Sequence, residues 1–373
     1  MIPRILAESF EKKLNTGKAL ILMGARQVGK TTLLKTLFNN STDVLWLNGD
    51  SADVRNMFDN ISSPRLNAIL GNKKVVIIDE AQRIPDIGLK LKLITDEIKN
   101  IQLIATGSSS FELANKINEP LTGRKWEFRM FPLSFSEMVS FHGLLEEKRM
   151  LPHRLVYGYY PDIVTNPGME KDLLKQLSDS YLYKDILMWE QIKHPEKLLR
   201  LLQALAFQIG NQVSFNELGQ ITGMDSKTVE KYIALLEQTY IIFRLGSFSR
   251  NLRNELKNSK KFYFYDNGIR NALIANFSQI ENRQDIGALW ENFLVSERIK
   301  FLNYSGKWSN IWFWRNLDQR EIDFIEDSDG KLTAYEFKWN EGAKYRYPAA
   351  FLKAYPNTKI EIVNRTNFED FLL

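Results

Sequence analysis

Residues Gly24 to Thr31, GARQVGKT, follow the apolar run Ala19 to Met23 and precede the helix-forming stretch Thr32 to Phe38. They fit the pattern G-x-x-x-x-G-K-[S/T] in the order strand, loop, helix, and no other feature constrains the N-terminal third as tightly. Glycines at both ends let such a loop wrap a phosphate with its backbone N–H groups turned inward, at the positive end of the next helix. Lys30 then reaches the β- and γ-phosphates, and Thr31 offers its hydroxyl to Mg2+. The expected nucleotide contacts are Gly24, Ala25, Arg26, Gln27, Val28, Gly29, Lys30, Thr31 and Thr32, with Arg26 lining the outside of the loop. ATP and Mg2+ are the expected cofactors.

Binding becomes hydrolysis only with a carboxylate that anchors the metal and a group that orients the attacking water. The run Val75-Val76-Ile77-Ile78-Asp79-Glu80 offers both at the end of a buried strand: Asp79 for Mg2+ and Glu80 for the water. A further apolar strand, Leu103 to Thr106, ends in Gly107-Ser108-Ser109. If it lies between the other two strands, Ser108 stands beside the γ-phosphate as a sensor; otherwise the segment is a simple turn. Apolar runs at 19–23, 44–47, 75–78 and 103–106 alternating with amphipathic stretches predict a parallel sheet with helices on both faces.

At 373 residues the chain has room for two or three domains. Its 50 Lys plus Arg against 45 Asp plus Glu permit nucleic-acid binding without demanding it. The absence of cysteine removes thiolate chemistry and cysteine-based zinc sites and suits a reducing compartment. His142, His153 and His194 lack ligand spacing. No run reaches 18 apolar residues, so a cytoplasmic protein with no membrane partner is expected.

The expected organisation is an α/β nucleotide-binding domain at 1–140, a helical connector at 141–197, a winged helix-turn-helix at 198–250 and a separate α/β domain at 251–373. In VSFNELGQITGMDSKTVEKYIALL, Gly223 makes the tight turn and Ser226 is the expected cap of the second helix. Lys227, Thr228 and Lys231 then face outward, either towards DNA or as part of a protein-docking surface. The C-terminal part carries Glu291 in LWENFLVSERI, Asp323 in REIDFI, and Glu336 with Lys338 in AYEFKW. Glu-x-Lys puts both side chains on one strand face, where carboxylates can bind a divalent cation and a lysine can orient water for attack on a phosphodiester. Asp266 is expected to cap a helix, and Trp308, Trp312 and Trp314 to pack into the sheet core.

The segments GARQVGKTTL, VVIIDEAQ, ATGSSSF and LTGRKWEFRMFPLSFSEM resemble the AAA-type P-loop ATPases of bacteria and archaea that carry a C-terminal domain of the DUF4143 kind. The resemblance covers nearly the whole chain. It implies that Arg124, in the GR pair, is a γ-phosphate sensor or a finger acting on a neighbour in a homo-oligomer; a surface arginine of a hairpin is the alternative. The order Glu291, Asp323, Glu336-x-Lys338 is similar to the PD-(D/E)xK nucleases, with a restriction-endonuclease-like fold. It implies metal ligation by Glu291, Asp323 and Glu336 and catalysis by Asp323, Glu336 and Lys338. Ile322 replaces the proline that usually precedes the Asp. DNA is the partner implied, and a regulatory ATPase whose C-terminal domain docks a protein is the alternative.

Overall fold

A computed structural model describes residues 2–39, 41–59, 61–108, 117, 120–180, 194–249, 260–316, 318–342, 345 and 347–373. The chain divides into two compact units: Met1–Pro132 with Gln238–Tyr240, and Leu133–Glu237 with Ile241–Leu373.

The first unit is built on five parallel strands: β1 (Ala19–Met23), β2 (Val44–Asn48), β3 (Val75–Asp79), β4 (Gln102–Gly107) and β5 (Lys125–Arg129). Their spatial order is β2-β3-β4-β1-β5. Helices cover both faces of such a sheet, so its central strands read as unbroken apolar runs. All five residues of β1 are buried, as are all six of β4. Parallel strands end on a common edge, and because β4 lies between β1 and β3, the loops after all three converge there. Gly24 leaves β1 against the backbone that follows β5: a Cβ at this position would lie 2.1 Å from the Met130 carbonyl oxygen.

The second unit begins with the helices Phe135–His142, Leu144–Tyr157, Pro161–Thr165 and Glu170–Ser180. The first has a capping box: Ser134 Oγ accepts from the Glu137 N–H, and the Glu137 carboxylate accepts from the Ser134 N–H. Its next amide, Phe135 N–H, donates to Glu297 Oε2 at 2.7 Å. Lys300 donates to both the Leu133 carbonyl and Glu297. The LSFSEM half of the long family-like segment therefore anchors this unit to its helix Ile286–Tyr304.

The helix Pro195–Phe207, β6 (Gln212–Val213), the helices Phe215–Thr222 and Ser226–Gln238, β7 (Ile242–Ser247) and β8 (Lys260–Phe264) follow in order. β8 pairs antiparallel with both β6 and β7. β9 (Asn310–Arg315), β10 (Glu321–Ser328), β11 (Lys331–Phe337) and β12 (Lys359–Val363) complete one seven-stranded sheet ordered β12-β11-β10-β9-β7-β8-β6. The parallel pairing of β7 with β9, through Gly246–Trp312 and Ser247–Phe313, joins β6–β8 to β9–β12 in one sheet.

Two expectations are corrected. The cap of Ser226–Gln238 is Asp225, whose Oδ1 accepts from the Lys227 and Thr228 amides, while Ser226 hydroxyl donates to Asn216. Asx side chains one residue upstream serve this role equally well. Trp308 is 97% exposed, because it lies in the connection before β9; Trp314 packs on Phe351 and Trp312 on Phe248, as expected of strand residues. Asp266 caps the helix Asn267–Leu273 through the Ile269 N–H, and its other oxygen takes the Tyr159 N–H at 2.6 Å.

The Asp266 cap leaves no room beside it. A Cβ at Gly158, where φ is +76°, would lie 2.1 Å from Asp266 Oδ1. Gly158→Ala is expected to destabilise this unit by about 2 kcal/mol or more. Gly287→Ala, in a helical position with nothing within 4 Å of the new Cβ, is expected to stabilise it by about 0.5 kcal/mol. Thermal unfolding midpoints of the two full-length variants check the contrast.

Candidate functional site

The loop 24–29 turns through positive φ at Gln27 (57°) and Gly29 (98°) and delivers the chain into the helix Lys30–Leu37. Gly29 is the N-cap and no side chain caps the helix, so its first-turn amides and dipole face the loop's concavity. Lys30 is 6% exposed, with its ammonium held by the Gly24 and Ala25 carbonyls at 2.8 and 2.7 Å. Those two bonds fold it over the loop, where a phosphate oxygen can compete for the ammonium. Ala25 and Val28 are buried, Arg26 is half-buried, and Gln27 is exposed on the loop's outer side. Thr32, in the first helical turn, is exposed.

The Thr31 hydroxyl donates to Asp79 Oδ2 at 2.9 Å. This single contact ties the loop after β1 to the end of β3 and brings the two expected Mg2+ ligands together. Glu80 follows in a left-handed conformation, φ 49° and ψ 44°, which costs a non-glycine residue about 1–3 kcal/mol. The turn packs against β2's end, where a Cβ at Gly49 would lie 2.4 Å from the Glu80 carbonyl oxygen. The strain swings the carboxylate into a buried polar cluster: Gln82 Nε2 donates to Glu80 Oε2 at 2.6 Å and to Ser108 Oγ at 3.2 Å. The Ser108 hydroxyl donates to Glu80 at 3.4 Å. β4 between β1 and β3 is what places Ser108 here.

Two residues in this cluster lay outside the sequence expectations. Thr106 Oγ1 donates to Asp79 Oδ1 and accepts from the Glu80 N–H. Gln82 holds Glu80. Their signal was present: Thr106 is the hydroxyl two before Ser108 on the same strand face, and Gln82 ends the segment DEAQ.

Arg124 is elsewhere. It precedes β5, its carbonyl accepts from Ala19 N–H, and its guanidinium pairs with Asp96 at 2.6 Å. Ala19 begins β1 and the phosphate loop follows its end, so the separation along a five-residue strand is roughly 16 Å. A γ-phosphate contact by Arg124 within its own chain is therefore overturned. The reason is topological: β5 runs parallel to β1, and residues before it lie on the edge opposite the loop.

The C-terminal set forms a second cluster. β10 departs from regular pairing between Ile322 and Ile325, a bulge that re-aims the residues between them. Beyond Phe324–Tyr335, the last pair of its ladder with β11, Asp323 Oδ2 accepts from the Phe337 N–H at 2.8 Å. Lys338 donates to Glu336 Oε1 at 2.5 Å. Glu291 Oε1 accepts from the Lys261 ammonium at 2.9 Å and the Tyr263 hydroxyl at 2.6 Å. Burial first, then the charges of Glu291 and Glu336, holds the Asp323 carboxyl well above the usual range. Burial likewise raises Glu336, against Lys338. Burial pulls the Lys261 ammonium down, but Glu291, Tyr263, Asp323 and Glu321 overcome it and the net shift is upward.

Among the described residues no three His, Asp, Glu or Cys side chains are arranged to hold an ion. Lys261 stands among these carboxylates, a residue outside the sequence expectations although Lys261-x-Tyr263 places a cation on the same strand face as a tyrosine.

Residues 16–139 match the family model "AAA domain". Residues 148–280 match "Domain of unknown function (DUF8612)", and residues 286–371 match "Domain of unknown function (DUF4143)". The Walker-type ATPase paby2304 of Pyrococcus abyssi is similar in fold, with a TM-score of 0.50 and 16% identity over 73% of this chain and 94% of that one. Residues 16–139 are therefore similar to AAA domains, on a P-loop fold. An uncharacterized protein of Methanocaldococcus jannaschii is 25% identical over 390 residues, 97% of this chain and 84% of the relative. One of Mycobacterium tuberculosis is 24% identical over 339 residues, 90% and 73% respectively. No helix among the described residues is long and apolar enough to cross a membrane.

Thr106→Val removes the hydroxyl that aims Asp79 and is expected to raise the Mg2+ concentration for half-maximal nucleotide binding by about 10–100-fold. A fluorescent nucleotide titrated at fixed Mg2+ steps reads this. The raised Asp323 carboxyl makes a second expectation. Its contribution to stability is full below the ordinary Asp value of about 4 and is lost as pH rises through the higher folded value. Asp323→Asn keeps an acceptor for Phe337 without that decline. The variant is expected to gain on the wild type as pH rises from 5 to 8, measured as about a few degrees in unfolding midpoint.

Proposed function

We propose that the chain is a Mg2+-dependent ATPase that acts on DNA in the cytoplasm, with its C-terminal domain in contact with that DNA. The observation that carries the ATPase part is the Thr31–Asp79 hydrogen bond, with Lys30 on one side and the Glu80–Gln82–Ser108 cluster on the other. Bound Mg2+·ATP supplies an electrophilic phosphoryl group. Lys30 would neutralise charge on its oxygens, and Thr31 and Asp79 would hold the metal and its waters. Glu80, fixed by Gln82 and Ser108, would orient the attacking water and take its proton. Arg124 would serve a phosphate only in a neighbouring copy, which makes a homo-oligomer part of the reading.

Support for DNA comes from the element order helix, strand, helix, helix, strand, strand between Pro195 and Phe264, which matches a winged helix. Lys227 and Lys231 are exposed one turn apart on its second helix of the pair. The Glu-Asp-Glu-x-Lys order of the C-terminal domain adds the resemblance to DNA-acting folds. One observation favours the alternative of a regulatory ATPase docking a protein: Asp225 already puts a carboxylate at the N-terminus of that helix, where a DNA phosphate would approach.

Lys30→Ala is expected to lower ATP turnover by at least about 100-fold, and unchanged turnover would sink the assignment. DNA is expected to stimulate the wild type, with the effect fading as salt rises. Replacing Lys227 and Lys231 with Ala should reduce the slope of log affinity against log salt by roughly one for each phosphate no longer neutralised. Turnover indifferent to every DNA form would transfer support to the docking reading.

A further inference from the structure

The C-terminal carboxylates are supplied with a cation by the chain itself. Lys261 is 1% exposed, and its ammonium contacts Glu291 at 2.9 Å and pairs with Glu321. β8 sends Lys261 and Tyr263 to one face, and both donate to Glu291 Oε1. The remaining carboxylates are committed as well, Asp323 Oδ2 to the Phe337 amide and Glu336 Oε1 to Lys338. Among the described residues, the carboxylate oxygen of this cluster that is buried without a hydrogen-bond partner is Glu336 Oε2. Mg2+ and Mn2+ need several oxygens around one point, and among the described residues no three His, Asp, Glu or Cys side chains are arranged so. A divalent ion drawn to Glu291 would also sit against the Lys261 ammonium, in surroundings where water screens the repulsion poorly.

We infer that Lys261 holds the place and the charge of the divalent ion that the order Glu, Asp, Glu-x-Lys would otherwise require. The domain is then a cation-independent binding module and does not cut phosphodiesters. Lys338, 30% exposed, is a cation of the cluster that a ligand reaches from solvent. This deepens the reading above and rests on it only in treating the cluster as the domain's functional site. Its test reads cation binding in the absence of nucleotide and DNA, so the two can fail separately.

The experiment titrates Mn2+ into the full-length protein without nucleotide, following water proton relaxation and the unfolding midpoint. The wild type is expected to take no Mn2+ more tightly than about 1 mM at this cluster. Lys261→Met is expected to gain a site, with its unfolding midpoint rising by about 3 °C in Mn2+ at tenfold over its Kd. Lys261→Arg, which keeps the charge, is expected to behave as the wild type. A wild-type Mn2+ response that disappears in Asp323→Asn overturns the inference, and so does a folded Lys261→Met that takes no Mn2+. If Lys261→Met fails to fold, the wild type compared with Asp323→Asn decides alone. Mn2+-dependent cleavage of single-stranded, duplex or branched DNA that is lost in Asp323→Asn also overturns it.

Discussion

The placement of β4 between β1 and β3 is the constraint on which the nucleotide site depends. Parallel strands end on one edge, so this order brings three loops together that are separated by up to about 80 residues in the chain. Thr31 arrives from the first, Asp79 and Glu80 from the second, Thr106 and Ser108 from the third. The hydrogen bonds among them then follow from short side chains on buried strand ends. Glu80 bears a strained backbone at this junction, and the close approach of Gly49 keeps it there.

The second unit answers a different physical problem. Its sheet gathers Glu291, Glu321, Asp323 and Glu336 into a poorly hydrated space, where unpaired carboxylates are costly. Lys261 and Lys338 supply compensation, and burial raises the carboxyls of Asp323 and Glu336 above their usual range. Nucleotide chemistry needs an exchangeable cation that arrives with its substrate. A cluster neutralised by a covalently attached ammonium is permanently poised, which suits holding a ligand.

Much of the first unit was legible from residues alone. A strand–loop–helix order around GARQVGKT and four β-branched residues before Asp79-Glu80 carry strong local signals, because burial on both sheet faces demands them. Thr106 and Gln82 were less legible, since a buried Thr in a strand and a Gln in a turn look the same whether or not they aim a carboxylate. In the second unit, the helix and strand types around Glu291, Asp323 and Glu336 were readable, and the strand-face relation of Glu336 and Lys338 followed from alternation.

What the sequence determined by itself was local: which segments are strands, where a phosphate-wrapping loop lies, and which side chains share a strand face. Only the tertiary structure decided which distant segments meet. Arg124 lies on the sheet edge away from the loop because β5 runs parallel to β1. Lys261 lies among the carboxylates because β7 pairs with β9 and carries β8 with it into the same sheet. Pairing between strands far apart in the chain depends on the summed burial of whole faces, a quantity that no short stretch of residues contains.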